Sequence, residues 1–289
     1  MENKVLVTGA TGPVGTSTIN RLLELNIPVR AMVHSIDERS EALRARGVEI
    51  IQGDLQDFVA VKAALKGITN AFFLYPVADG LLRATAFFAL AAKENGVKLI
   101  VNLSQRTAVY NALSHSAQEH WLAEQVLDQS GVPVTHVQPT LFMEWLVYFA
   151  QEVKENNRYI SPFGDAKYGT ISSEDIGRVA AAILARPEGH AGQSYRIYGP
   201  AELSGYDMAQ ALSEVLGRDI AFAAIEPEPF GEILKSFNQP PYQVKHIIAI
   251  GHMFRSGEFV GMNDNVEKLT GRKPESIKEF INRNIELFR

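Results

Sequence analysis

Three glycines near the amino terminus have the spacing of a phosphate-binding loop. Gly9, Gly12 and Gly15 follow the apolar residues 5–7 and precede an amphipathic segment at residues 19–23. A strand, a glycine-rich turn and a helix in this order place free backbone N–H groups and the positive end of a helix dipole beside an anion. Glycine allows the close backbone approach that a pyrophosphate requires. We therefore predict dinucleotide contacts at Gly9, Thr11, Gly12, Pro13, Val14 and Gly15; the alternative is a glycine-rich turn that binds nothing.

The end of the second predicted strand bears on which dinucleotide binds. An acidic side chain there binds the ribose 2′-hydroxyl of NAD, whereas a basic one accommodates the 2′-phosphate of NADP. No acid stands at this strand tip, since Asp37 comes later, and His34 and Arg39 are nearby donors. The pattern favours NADP, with NAD as the alternative, unless His34 is only an exposed loop histidine.

Residues after the third, fourth and fifth predicted strands fall where the rest of a dinucleotide would lie. The carboxylate of Asp54, followed by Leu55, can accept from the adenine amino group, or it can serve only in a turn or an N-cap. The fourth strand ends at a segment whose backbone would flank the ribose: Leu74, Tyr75 and Pro76. Ser104 ends the fifth strand, near the expected nicotinamide.

Predicted strands and helices alternate along the first half of the chain. The strands are predicted at residues 5–7, 29–33, 49–52, 71–74, 99–103 and 134–137, and several are almost continuously apolar. This pattern predicts an α/β fold with a Rossmann-type, doubly wound parallel sheet in residues 1–155. Residues 156–289 are predicted to form a smaller C-terminal substrate lobe, with residues 172–198 returning to the sheet. Helices are predicted there at 176–185, from Ser204 to Gly217, and at 276–287.

Composition limits the class of protein. The chain has 289 residues, 46% hydrophobic and 21% charged, which is typical of a globular protein with a sizeable core. A net charge of −5 without a basic block gives no indication of nucleic-acid binding, and the absence of cysteine excludes thiol catalysis. The longest apolar stretch is too short to span a bilayer, and no signal peptide is evident. We therefore predict a cytoplasmic protein. We also predict no metal site, because the histidines lack the spacing of metal ligands.

Several motifs together carry a resemblance that covers nearly the whole chain. The chain resembles the atypical short-chain dehydrogenase/reductases of the NmrA-like group, which includes triphenylmethane reductase and a quinone oxidoreductase type. The motifs are the glycine loop and residues 53–55, 120–124, 130–133, 138–144, 175–176 and 190–195. The resemblance implies a Rossmann-type fold and an NAD(P)-dependent oxidoreductase.

The proton-transfer pair of typical short-chain dehydrogenases is absent. Those enzymes use a tyrosine four residues before a lysine, which lowers the pKa of the tyrosine and holds the ribose. Aligned through residues 120–124, the lysine position holds His120 and the tyrosine position holds Ser116. His120 is a candidate for binding the ribose or supplying a proton; the alternative is a helix-face histidine packed beside Trp121. Weaker proton-donor candidates are Ser104, Tyr110 and His115.

Bulky side chains after the sixth predicted strand indicate an apolar pocket. A stripe begins at Phe142 and Trp145, with Tyr75 and Phe163 expected nearby. An aromatic-lined pocket suits a flat acceptor such as a quinone or a dye. The alternative is that these side chains pack in a core.

Two functions from different classes are consistent with these patterns. The first is an NADPH-dependent reductase that transfers a hydride to a small aromatic acceptor, with the protein supplying orientation and a dry pocket. The second is a non-catalytic redox sensor that docks a partner according to cofactor state. The missing tyrosine and lysine favour the sensor, and the aromatic stripe favours the enzyme. The apolar helix around residues 84–92 is either sandwiched in the fold or forms a homodimer contact.

Overall fold

The computed structural model describes residues 3–257 and 260–289. The strands in these residues are β1 Val5–Val7, β2 Val29–Val33, β3 Glu49–Gln52, β4 Asn70–Phe73, β5 Leu99–Leu103, β6 Val134–Pro139, β7 Arg158–Ser161, β8 Ser194–Ile197 and β9 Ala221–Ala224. The helices are α1 Pro13–Glu24, α2 Glu38–Ala45, α3 Phe58–Leu65, α4 Leu81–Glu94, α5 His115–Asp128, α6 Trp145–Tyr148, α7 Ala150–Asn156, α8 Ser173–Ala185, α9 Gly205–Leu216, α10 Pro227–Ser236, α11 Pro241–Arg255, α12 Asn265–Thr270, α13 Ile277–Arg283 and α14 Ile285–Phe288.

In the described chain, parallel strands form a seven-stranded sheet in the order β3-β2-β1-β4-β5-β6-β8. Every residue of β1 and β4 is buried, because helices cover both faces. One face packs against α1 and α8 through Ile19 and Val179, and the other against α3, α4 and α5 through Val61, Phe88 and Leu127. The apolar strands are therefore those of a doubly wound sheet, and the predicted α/β Rossmann-type fold is confirmed.

A glycine sets the spacing between α1 and α8. A Cβ on Gly177 would lie 2.5 Å from the Ser17 Cβ and 2.7 Å from the Thr18 nitrogen. The missing side chain allows the two helices to approach closely. This contact fixes α1, and with it the glycine loop at the N-terminus of α1.

The C-terminal residues form a second apolar core. Tyr168, Leu212, Phe230 and Phe280 belong to it, and β7 pairs with β9 in a parallel two-stranded sheet. The lobe contacts the sheet domain where α11 packs on α5. There the Tyr242 hydroxyl donates to Glu119 at 2.6 Å, so a charged acceptor on one side meets a phenol on the other.

Local signals place most of the later helix ends. Ser204 and Ser276 open α9 and α13 with capping boxes, and Gly217 ends α9 at a φ of +67°. The expected strand at residues 194–197 is β8, which pairs with β6. The prediction of one continuous last helix is wrong, since Asn284 leaves helical geometry between α13 and α14. Helix α8 begins three residues before the predicted start, directly after its N-cap. The domain division at residues 155 and 156 stays a prediction.

Candidate active site

A cavity of about 470 Å³ opens at the carboxyl ends of β1, β4, β5 and β6. This is the edge of a doubly wound sheet at which ligands bind. Helix α11 of the C-terminal lobe covers the cavity with His246, Ile247 and Phe254 among its lining residues. The cavity therefore lies between the sheet and the lobe, and both contribute side chains to it.

The glycine loop forms one wall of this cavity, which Gly9, Gly12, Pro13 and Val14 line. Gly9 has a φ of +58°, and the Gly12 N–H donates to the Gly9 carbonyl at 3.1 Å. A Cβ on Gly15 would collide with that same carbonyl, so the turn itself requires glycine there. A Cβ on Gly12 would meet only the Gly9 oxygen, at 3.4 Å, so the space beyond Gly12 is open. Since Gly12 is the N-cap of α1, the free N–H groups of that helix begin at this wall.

Several residues predicted to bind a cofactor do not line the cavity. They are Thr11, Gly15, His34, Arg39, Asp54 and Leu55. The tip of β2 carries two of them: the His34 side chain is 84% exposed, and Arg39 donates two hydrogen bonds to Asp37, the N-cap of α2. The Arg39 guanidinium lowers the pKa of Asp37. Asp54 accepts the Gln56 N–H in a turn, the structural role that its position also allowed.

Three polar side chains at the ends of β5 and β6 are buried without a hydrogen-bond partner among the described residues. The atoms are Ser104 Oγ, Gln105 Nε2 and Thr140 Oγ1, and all three residues line the cavity. An unpaired buried polar group costs about 1–3 kcal/mol. A polar ligand that hydrogen-bonds to them removes this cost, so this end of the cavity favours a polar group.

Two histidines from different lobes line the cavity. His120 lies on α5 and His246 on α11, and both are buried. Burial, assisted by the nearby His246, lowers the pKa of His120 to about 3, and burial lowers the pKa of His246 to about 4. Both imidazoles are therefore neutral at pH 7. His246 was not identified from the sequence, because its hydrogen-bond partner Ser114 is 132 residues away and no local motif marks it.

The far end of the cavity is an apolar chamber. Phe142 and Trp145 line it, as the stripe predicted, together with Ile247, Ile250 and Phe254 from α11. Tyr75 also lines the cavity, and burial raises the pKa of its phenol. Phe163 does not line it: the side chain lies in the core of the lobe, with its ring centroid 5.1 Å from that of Phe254. It thus supports the chamber wall from behind.

Two of the weaker proton-donor candidates are remote from the cavity. Tyr110 is 72% exposed and its ring lies 6.2 Å from that of Trp121. The side chain of His115 is 73% exposed and lies 3.4 Å from Glu119. Only Ser104 and His120, of the four residues considered as proton donors, stand where a ligand in the cavity could touch them.

Residues 3–257 and 260–289 contain neither a metal-binding cluster nor a membrane-spanning helix. No group of three or more histidine, aspartate or glutamate side chains there could hold a metal ion. None of the helices in this part of the chain has the length and apolar character needed to cross a membrane.

The sequence and the fold both have known counterparts. An NAD(P)H azoreductase from Xenophilus azovorans is 32% identical over 287 residues, which cover 98% of this chain and 99% of the relative. The crystal structure of an Escherichia coli NADPH-dependent quinone oxidoreductase in complex with NADPH has a TM-score of 0.87 at 24% identity, covering 97% of this chain and 99% of that one.

The structure of Citrobacter sp. triphenylmethane reductase in complex with NADP(H) has a TM-score of 0.85 at 23% identity, covering 96% of this chain and 99% of that one. These two structures show that the fold is shared along its whole length. The sequence pattern of the NmrA-like family matches residues 1–288. The chain therefore belongs to the NmrA-like family.

Proposed function

We propose that this chain is an NAD(P)H-dependent reductase that prefers NADPH and passes a hydride to a small aromatic acceptor. The proposal depends on the continuity of one cavity, from the glycine loop at the N-terminus of α1 to the apolar chamber at Trp145 and Phe254. A dinucleotide needs the first feature, and a flat acceptor next to it needs the second.

The residues of this cavity, together with the turn between β2 and α2 outside it, fit a dinucleotide. The free N–H of Val14 and its neighbours in the first turn of α1 would hold the pyrophosphate, since the Gly12 N–H is already bonded to the Gly9 carbonyl. His34 and Arg39 at the tip of β2 would reach the 2′-phosphate, and the neutral imidazole of His120 would contact the nicotinamide ribose. The unpaired Ser104 Oγ stands at the end of β5, where the nicotinamide is expected. The bound cofactor supplies the hydride, while the chain orients it and excludes water.

The relatives support the same reaction class. By their names they reduce azo compounds, quinones and triphenylmethanes. Such conjugated acceptors fit the chamber lined by Phe142, Trp145 and Ile250. A redox sensor without turnover is the alternative, favoured by the absence of the tyrosine and lysine pair. The open apolar chamber at the expected nicotinamide supports the enzyme instead.

Turnover assays test the proposal directly. NADPH and NADH oxidation would be measured with a quinone, an azo dye, a cationic triphenylmethane dye and a simple ketone. We expect oxidation of NADPH with the conjugated acceptors and little with the ketone, because a positioned general acid, which contributes about 10²–10⁴ in rate, is missing. Tight NADPH binding without turnover on any acceptor would support the sensor.

Two further features belong to this proposal. The reductase acts in the cytoplasm. Its substrate is a small molecule rather than a nucleic acid, in keeping with a net charge of −5. It forms a homodimer through α4, on which most apolar side chains are buried in the fold but Leu90 is 48% exposed. Light scattering and cell fractionation test these two points.

A further inference from the structure

The tautomer of His246 is fixed by its neighbour. The Ser114 Oγ, which caps α5, accepts the Ala117 N–H at 3.2 Å and lies 2.6 Å from Nδ1 of His246. Ser114 is buried, and no other described residue accepts its single hydroxyl hydrogen. If Nδ1 carried the ring proton, that hydroxyl hydrogen would have no acceptor. The hydroxyl therefore donates to Nδ1, and the proton of the neutral ring lies on Nε2.

The Nε2–H of His246 is available to a ligand. The residue lines the same cavity as the polar strand ends and the apolar chamber. No described residue makes a hydrogen bond to Nε2, while Nδ1 is committed to Ser114. The other side chains lining this cavity that titrate or carry charge are those of Tyr75, Arg106, His120, Glu144 and Tyr148. Because burial lowers the pKa of His246 to about 4, the ring is a neutral donor at pH 7.

We propose that His246 is a catalytic residue whose Nε2–H donates a hydrogen bond to the acceptor oxygen on which negative charge develops during reduction of a quinone. This inference rests on the proposed reductase function. The hydride forms a C–H bond at one carbonyl carbon of the quinone, the π bond of that carbonyl breaks, and its electron pair moves to the oxygen while the nicotinamide is oxidised. The resulting oxyanion takes its proton from water, and transfer of the C–H proton to water with protonation of the second oxygen gives the hydroquinone, so His246 keeps its own proton throughout.

The charge change differs between acceptors, which makes the role of His246 selective. A hydride added to a cationic triphenylmethane dye forms a C–H bond at the central carbon and gives a neutral product. No anion develops, so a preorganised donor gives no advantage there. His246 therefore favours quinones over cationic dyes, and its removal changes the ratio of the two rates.

Two amide variants separate the two nitrogens of the ring. In His246→Gln the amide nitrogen reaches the position of Nε2, whereas in His246→Asn the amide oxygen can accept from Ser114 in place of Nδ1. We expect His246→Asn to lower kcat with 1,4-naphthoquinone by about 10²–10³-fold, and His246→Gln to lower it far less. With the cationic dye, His246→Asn should lower kcat far less than with the quinone, so that the ratio of the two rates changes.

A structural role for His246 gives the opposite order. His246→Asn keeps the hydrogen bond to Ser114, so it would then be the milder variant, and both acceptors would be affected alike. Either of these results overturns the inference. NADPH affinity, measured by fluorescence titration, serves as the control and should stay unchanged in both variants.

A second measurement needs no turnover. The infrared carbonyl stretch of 1,4-naphthoquinone, bound in the presence of oxidised NADP, should show a band lowered in frequency in the wild type and in His246→Gln. That band should be absent in His246→Asn. An unshifted carbonyl frequency in the wild type, or a failure of the quinone to bind, overturns the inference about His246. If the protein still reduces the dye, the reductase proposal stands. If the band is shifted but neither acceptor is reduced, the reductase proposal is wrong. The hydrogen bond from His246 to the quinone oxygen would still be supported.

Discussion

Gly12 and Gly15 lie three residues apart in one loop, yet they are constrained by different neighbours. A side chain on Gly15 would collide with the Gly9 carbonyl of the protein itself, whereas the space beyond Gly12 is open. Gly12 also has an ordinary extended backbone, with a φ of −83°. The apo fold therefore requires a glycine at 15, and a ligand approaching the helix N-terminus requires one at 12.

Substitution of Gly12 should separate binding from stability. In Gly12→Val the new side chain occupies the space where a pyrophosphate approaches α1, so we expect loss of NADPH binding. The apo protein should lose no more than about 1 kcal/mol, the typical cost of a poor N-cap residue. Fluorescence titration and urea unfolding measure the two effects.

Gly15→Ala is the matched control, and it should destabilise the apo protein more than Gly12→Val does. Normal NADPH affinity in Gly12→Val would show that the loop is not the phosphate site.

Sequence reasoning was most effective for residues with a local context. The glycine loop and Ser104 were identified because each directly follows a buried strand, and both line the cavity. His246 and the unpaired Thr140 Oγ1 depend on packing between distant parts of the chain, which no spacing encodes. Phe163 was predicted to lie near the pocket, but it packs in the core behind the pocket wall. An aromatic side chain has the same sequence pattern in either place.

At the scale of elements, the proposed preference for NADPH depends on the turn between β2 and α2. Arg39 is exposed and paired with Asp37, so a 2′-phosphate can compete for it. A charge-assisted hydrogen bond contributes about 1.5–3 kcal/mol, or roughly tenfold or more in affinity. Arg39→Ala should therefore weaken NADPH binding by about tenfold and leave NADH binding unchanged.

Arg44 provides a control on the same helix, since it pairs with Glu41 at the surface. Calorimetric titration of both cofactors to Arg44→Ala should match the wild type. Equal or tighter binding of NADH by the wild-type protein would contradict the preference for NADPH.

Helices α1 and α8 should be sensitive to a single methyl group. Gly177→Ala adds a Cβ within 2.7 Å of the Thr18 nitrogen, and backbone cannot move as a flexible side chain can. We expect a loss of about 1–3 kcal/mol in unfolding free energy, as for other overpacked cores, together with weaker NADPH binding because α1 carries the loop. The exposed Glu174→Ala on α8 should change stability by less than about 0.5 kcal/mol. An unchanged melting temperature for Gly177→Ala would refute the close packing.

Strands of the seven-stranded sheet were predicted with small errors, and those of the smaller sheet were not. β1, β2, β3 and β5 have the predicted bounds: β1 and β5 are largely apolar and buried between turns, and β3, a half-exposed edge strand, lies between two turn signals. β7 and β9 were missed, since their pairing brings together short segments of the lobe that lack a distinctive pattern. Helix α11 shows the same limit: its position over the cavity follows from contacts with α5 that lie outside any local window.

At the scale of the whole molecule, the cavity couples the two lobes. The sheet provides the glycine loop and the strand ends, and α5, which packs on the sheet, provides His120. The lobe provides His246 and much of the apolar chamber. Enclosure by α11 keeps both imidazoles out of water, which is why burial lowers the pKa of each. The packing of α11 over the cavity therefore also places two neutral histidines in the folded state.

These two histidines should make folding stability depend on pH. Below pH 6.5 the unfolded chain binds a proton at each histidine, whereas the native His120 and His246 stay neutral down to pKa values of about 3 and 4. Because the unfolded state then binds more protons, stability falls as the pH falls through this window. At pH 5 the loss amounts to about 2 kcal/mol per histidine relative to pH 7. Carboxylates with lowered pKa values, such as Glu49, act in the same direction only nearer pH 4.

Urea unfolding of the apo protein at pH 7 and pH 5 measures this dependence. His246→Gln removes one of the two groups, so the drop between the two pH values should shrink by about 2 kcal/mol in that variant. His34→Gln is the matched control, since the His34 side chain is 84% exposed. A drop of the same size in all three proteins would mean that His246 is hydrated and protonated in the native state. The cavity would then be open to water at α11, and the lobe would not enclose it.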